Sequence, residues 1–326
     1  MQRRRLIFGG LAAATLSAGV VVRRSFRRDL QAAKARVATG STVIDTTFGA
    51  LEYATAGGPD GPAVIMIHGT GGGFDQGLAA AGPLADMGHR IIAPSRFGYL
   101  RSALPADASS ARQADAIVAL MDHLGIAQAG VIGLSAGARA ALALGIRHPD
   151  RCSALIALVP ATHVPGTPVP QPGAIGAAIM RYALHSDFLF WAGNRFARDR
   201  MIGTLLATDP ALLDRAEPAE QARANAILAQ ILPVSARSDG FINDARLSLA
   251  PEDMNVGAIT VPTLAISLQD DRFGTFPAAQ YIAQTVPGAR LVSYPSGGHV
   301  FIGHAADIFA AMGDFLDANP PAYGGS

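Results

Sequence analysis

The chain has 326 residues, half of them hydrophobic, enough for one large α/β domain with an excursion or for two small domains. Its one cysteine, Cys152, cannot close an intrachain disulfide, no cysteine–histidine cluster has zinc spacing, and the one lysine, Lys34, lies too near the N-terminus to serve as a serine's base. The formal charge of +1 hides a split. Nine basic residues and one acid, Asp29, fall within the first 36 positions, leaving 17 basic and 24 acidic residues beyond them, so no nucleic-acid-binding domain is expected.

Residues 6–22, LIFGGLAAATLSAGVVV, carry no charge and lie between Arg3-Arg4-Arg5 and Arg23-Arg24, the pattern of a short membrane-spanning helix. Residues 1–36 are therefore expected to form a membrane anchor or signal segment with a basic arm, and residues 37–326 the globular domain. A cleaved signal needs a small-x-small site, and none stands clearly before Arg23. Arg4-Arg5 ahead of apolar residues keeps twin-arginine export, with release outside the membrane, as the alternative. Arginines at both ends leave the membrane side undetermined. Residues 25–42 read as a polar linker.

Residues 46–56 and 63–67 are strand-like runs separated by GGPDGP, a cluster of turn formers. The second, AVIMI, is apolar throughout, as in a strand buried on both faces of a parallel sheet. It runs into His68-Gly69-Thr70-Gly71-Gly72-Gly73, where glycines let backbone N–H groups turn toward an open space, as an oxyanion site requires. A phosphate loop of the GxxxxGK[ST] kind is excluded by its missing lysine. A strand follows at 90–94, then a helix at 111–124 with Ile117, Leu120, Met121 and Leu124 on one face, and a strand at 154–159. This alternation predicts a doubly wound, mostly parallel sheet with its ligand at the carboxyl ends of the strands. From about 162 to 249 the alternation stops. Phe188, Leu189, Phe190, Trp191, Phe196, Met201, Ile202, Leu205 and Leu206 there predict a helical cap, with some of them lining an apolar pocket. Strands at 263–268 and 290–294 and a helix at 305–316 complete the order.

The stretch VIGLSAG, residues 131–137, places Ser135 between Gly133 and Gly137 where a strand passes into a run of helix formers, the context of a nucleophile elbow. A serine hydroxyl needs a base, and that base is usually a histidine held by a carboxylate. His299 follows the last strand in PSGGHVF, where two glycines let the loop fold back; His304 lies nearer the final helix. The strand at 263–268 runs into Gln269-Asp270-Asp271, so the order is serine, aspartate, histidine.

With HGTGGG, GLSAG, LQDDRF and GGHVF in this order, the sequence resembles the α/β-hydrolase superfamily over about residues 43–318. The resemblance implies an α/β-hydrolase fold, Ser135 as nucleophile, His299 as base and Asp271 as acid. It also implies an oxyanion hole formed by the Ala136 amide with that of Thr70 or Gly71. Asp271 is preferred to Asp270 because it stands three residues after Leu268, where relatives have a turn glycine. APSRFGYLRS resembles the family's PxRxGxGxS turn, with Tyr99 where a small residue is usual. The expected activity is serine hydrolysis of a carboxylic ester through an acyl-enzyme, with no cofactor or metal, on a small ester-like substrate. Carbon–carbon bond or amide hydrolysis and cofactor-free haloperoxidation share these motifs, and a non-catalytic binding protein on the same scaffold is the reading of a different class.

Overall fold

A computed structural model describes residues 2–169, 182 and 184–322, with side chains from residue 19 onward. Eight strands form one sheet in the order β1-β2-β4-β3-β5-β6-β7-β8. β1 (Thr42–Thr46) and β2 (Gly49–Ala56) form an antiparallel hairpin, and β2 pairs antiparallel with β4 (Arg90–Pro94). β3 (Ala63–Ile67), β5 (Ala129–Leu134), β6 (Cys152–Leu158), β7 (Thr263–Leu268) and β8 (Arg290–Tyr294) continue the sheet in parallel from β4. The strand order reverses between β3 and β5, so the loops after them open into the crevice where doubly wound sheets bind ligands. The strand expected at 46–56 is β2 together with the turn that joins it to β1. That turn is closed by Thr46 Oγ1, which donates to the Gly49 carbonyl at 2.7 Å and accepts from Phe48 N–H at 3.0 Å.

The central strands are buried on both faces, as their unbroken apolar runs require. On one face α3 (Ser110–His123), α4 (Gly137–Arg147) and α10 (Thr275–Thr285) bring Ile117, Leu120, Met121, Leu142, Leu144 and Ile282 onto the sheet. On the other, α2 (Phe74–Asp86) and α11 (Ala305–Asp317) bring Leu84, Ile308, Phe309, Met312 and Phe315. Between β6 and β7 lie the cap helices α5 (Asp187–Phe196), α6 (Arg198–Leu205), α7 (Pro210–Arg215), α8 (Pro218–Gln230) and α9 (Ser238–Leu249). They form a third apolar cluster around Trp191, Ile202, Leu213, Leu228, Ile231 and Phe241.

The N-terminal segment departs from expectation. Helix α1 runs from Gln2 to Ala38, so the stretch read as a polar linker is helical up to Ala38. Val22, Phe26, Leu30 and Ala33 recur at helical spacing and pack against the cap cluster. The Phe26 ring stands 5.2 Å from Phe188 and 5.6 Å from Trp191, whose indole N–H donates to Asp29 at 2.9 Å. Phe188 and Trp191 thus pack against α1, and Phe196, 5.9 Å from Trp191, is exposed. Among the described residues no helix is long and apolar enough to cross a membrane, so the expected span is not supported. Most of residues 6–22 lies outside the described side chains, and the described remainder of α1 carries Arg23, Arg24, Arg27, Arg28, Asp29, Lys34 and Arg36.

Candidate active site

The end of β5 sets the geometry. Ser135 sits in the left-handed region at φ 53° between Leu134 and α4, a conformation an L-residue holds only when its surroundings impose it. The two flanking glycines make that possible. A Cβ on Gly133 would lie 2.5 Å from Ala138 Cα, and one on Gly137 2.4 Å from the Ile67 carbonyl oxygen. β5, α4 and the end of β3 therefore approach closely, with Ser135 at the top of the turn.

His299 Nε2 lies 2.9 Å from Ser135 Oγ, and its Nδ1 lies 2.7 Å from Asp271 Oδ2. The carboxylate is fixed by further donors: Phe273 N–H reaches Oδ1 at 2.8 Å, and Thr275 Oγ1 donates to Oδ2 while lying 2.9 Å from Ser267 Oγ. Asp270 faces the other way and accepts from the amides of Gly297 at 3.1 Å and Gly298 at 2.8 Å, bracing the loop that carries His299. The cap holds that loop from above, with Arg223 donating to the Val300 carbonyl at 2.6 Å and its guanidinium 4.6 Å from the Phe301 ring centre. Ser135, His299 and Asp271 thus form one hydrogen-bonded line, with the histidine, last in the sequence, standing between the other two.

The loop after β3 is built on buried charge. His68 accepts from Arg96 N–H at Nε2 (2.9 Å) and lies 2.7 Å from the Gly69 carbonyl through Nδ1, which assigns the proton to Nδ1. Burial, reinforced by the charge of Arg96, pushes this imidazole down to about 3, so it is neutral at pH 7. Asp244 on α9 accepts both guanidinium nitrogens of Arg96 at 2.7 Å, the Tyr99 hydroxyl at 2.6 Å and the Thr70 hydroxyl at 2.8 Å. Burial alone would raise its carboxyl, but the charge and hydrogen bonds of Arg96 hold it well below the usual carboxylate range. Tyr99, at the position where relatives have a small residue, also accepts the Gly71 amide at 3.2 Å.

That last bond bears on Thr70 and Gly71. The Gly71 N–H is spent on Tyr99, whereas among the described residues the amides of Thr70 and Ala136 donate to no protein acceptor. Gly69 lies between loop and elbow, where an added Cβ would stand 3.1 Å from Ser135 Cβ. Above the loop sit Phe241 and Ile231, nearest to Gly71, so the described ceiling here is apolar. Arg139, one helical turn beyond Ser135, is spent on the carbonyls of Ala161 (3.0 Å) and Asp244 (3.4 Å) and on Ser248 Oγ (2.8 Å). Sequence reasoning passed over Arg96, Asp244 and Thr275. The first stood in view in APSRFGYLRS; the others carry no local signature.

The fold agrees with the comparisons. The family described as alpha/beta hydrolase fold matches residues 62–304, and the chain belongs to that family. It is 29% identical over 261 residues to the 2-hydroxymuconate semialdehyde hydrolase of Pseudomonas putida, covering 79% of this chain and 88% of that protein. A putative carbamate hydrolase of Caulobacter sp. (strain K31) is 28% identical over 278 residues, 83% of this chain and 97% of its own. Among solved structures, an alpha/beta hydrolase fold protein from Nakamurella multipartita superposes with a TM-score of 0.67 at 25% identity, covering 85% of this chain and 99% of that one.

Proposed function

We propose that the protein is a serine hydrolase of small, neutral, mainly apolar carboxylic esters, working through an acyl-enzyme. His299 Nε2 takes the proton of Ser135 as Oγ bonds to the ester carbon, and Asp271 holds the ring with Nδ1–H toward itself and offsets the imidazolium charge. The amides of Thr70 and Ala136 receive the developing oxyanion, a contribution worth about 10²–10³ in turnover per donor in comparable sites. His299 then protonates the departing alkoxide, and water repeats the cycle in reverse to free the acid.

The observation that carries the reading is the 2.9 Å approach of His299 Nε2 to a serine held at φ 53°. Ester over acid is favoured by charge. Arg96, which donates to the His68 carbonyl, and Arg139, one helical turn beyond Ser135, are committed to Asp244 and to backbone carbonyls, and Phe241 and Ile231 beside Gly71 are apolar. A second reading, hydrolysis of a carbon–carbon bond in a keto acid, is favoured by the likeness to the Pseudomonas putida enzyme. Neither reading assigns a chemical part to membrane attachment through residues 6–22. The test uses a fluorophosphonate probe and p-nitrophenyl esters of graded chain length beside a vinylogous keto acid. Labelling that disappears in Ser135→Ala, with ester turnover exceeding keto-acid turnover, is expected. An unlabelled folded protein would mean that the site is a binding scaffold.

A further inference from the structure

The end of α1 reaches the oxyanion loop by two routes. In the first, Arg36 Nε donates to Asp75 Oδ2 at 3.1 Å; Asp75, in the first turn of α2, is paired with Arg237 at 2.8 and 3.2 Å; and Arg237 Nη1 donates to the Gly72 carbonyl. Arg237 is completely buried, and its Nε has no partner among the described residues, so its position rests on Asp75 and Gly72. In the second, Arg36 Nη2 donates to the carbonyls of Gln230, at 3.0 Å, and Leu232. These bracket Ile231, whose side chain is among the nearest to Gly71: a Cβ built there would meet it at 3.4 Å. The loop is thus held at its Thr70 side by Asp244 and at its Gly72 side by Asp75 and Arg237, and Arg36 is the group that ties the second hold to α1.

We propose that Arg36 is a positioning residue for the oxyanion loop, which makes the last turn of α1 part of the hydrolytic apparatus. The inference rests on the serine-hydrolase reading above. An oxyanion amide works only if aimed at the place where charge develops, and a displacement of about 1 Å caused by a distant mutation can cost about 10²-fold. Freeing the Gln230 and Leu232 carbonyls and one lobe of Asp75 lets Ile231 and Gly72 shift together. The effect falls on the transition state, so kcat drops while KM moves little.

The experiment compares the full chain with Arg36→Ala, Arg36→Lys and Lys34→Ala, an exposed neighbour on the same helix. It measures kcat, KM and the rate of fluorophosphonate labelling on protein whose near-UV spectrum matches the unaltered chain. The expected result is a loss of about tenfold or more in kcat and in labelling rate for Arg36→Ala, with KM within about twofold. Arg36→Lys, which restores the charge opposite Asp75 without the guanidinium fork, should recover part of the loss, and Lys34→Ala should keep full activity. If Arg36→Ala does not fold, Arg36→Lys decides: a fall in kcat and labelling rate with KM little changed supports the inference, and a lysine that leaves both unchanged overturns it. Folded Arg36→Ala with kcat within about twofold of the unaltered chain overturns the inference. Absence of labelling in the unaltered chain overturns the hydrolase reading on which it rests.

Discussion

Asp270 and Asp271 leave the same strand and hold the same histidine loop, one through backbone amides and the other through the imidazole. Replacing Asp271 by Asn removes the counter-charge and misaligns the tautomer, for which a loss of about 10⁴ in turnover is expected. Asp270→Asn keeps a carbonyl that can accept one of the two amides and should retain most of the turnover. Steady-state assays on the two variants at matched folding check the ranking, and equal losses would remove Asp271 from its assigned role. Ser135, Asp271 and His299 were legible in the sequence because each is set by its own strand end and local turn. Tyr99 was visible as a departure from a small residue, but the duty of its hydroxyl toward Gly71 and Asp244 depends on α9, about 145 residues away in sequence. Asp75 and Arg237 were illegible for the same reason: nothing near either residue announces its partner.

The strands and helices of the sheet layer follow from apolar runs and helical spacing, and the cap from a break in that alternation. β1 fell between the linker expected at 25–42 and the strand expected from 46, because TVIDT is short and its only two apolar residues are adjacent, so it shows no alternation. Helix α1 was misjudged for a stronger reason. The uncharged run at 6–22 draws the eye to a membrane, while Val22, Phe26, Leu30 and Ala33 are hidden among arginines that point outward. Each half-buried large side chain on such a face contributes about 1 kcal/mol, so Val22, Phe26 and Leu30 together contribute about 3 kcal/mol to the docking of α1 on the cap. A chain starting at Gly19 should therefore keep the stability and ester turnover of the full chain. One starting at Val37 should unfold at lower urea and lose turnover. Urea titration of the three proteins, followed by Trp191 fluorescence, measures this, and equal midpoints would show that α1 contributes nothing to the folded domain.

For the molecule as a whole, the buried charge around the oxyanion loop sets its response to acid. The imidazole of His68, facing Arg96, Asp244 and Arg237, is held neutral down to about pH 3, whereas in the unfolded chain it takes a proton near pH 6.5. The unfolded state thus binds the extra proton between these values, and stability falls as pH drops from about 6.5 toward 3, by at most about 1.4 kcal/mol per pH unit. Asp244 and Asp75, both held below the usual carboxylate range, act in a lower window: their contribution is complete above about pH 4 and is lost only as pH falls through their folded values. Urea unfolding at pH 7, 6 and 5 should show the decline, and His68→Gln should flatten it; a profile already flat in the unaltered chain would contradict the buried neutral imidazole. The pairing of Asp75 also bears on how the chain is made. Its two cationic partners lie 39 residues before it and 162 residues after it, so during synthesis Arg36 is available to this carboxylate long before Arg237 exists. The ribosome therefore delivers the loop and the elbow first and its last brace much later. A nascent chain cut short before residue 237 carries Ser135 but neither Arg237, Asp271 nor His299, so on the proposed mechanism it should be silent toward esters.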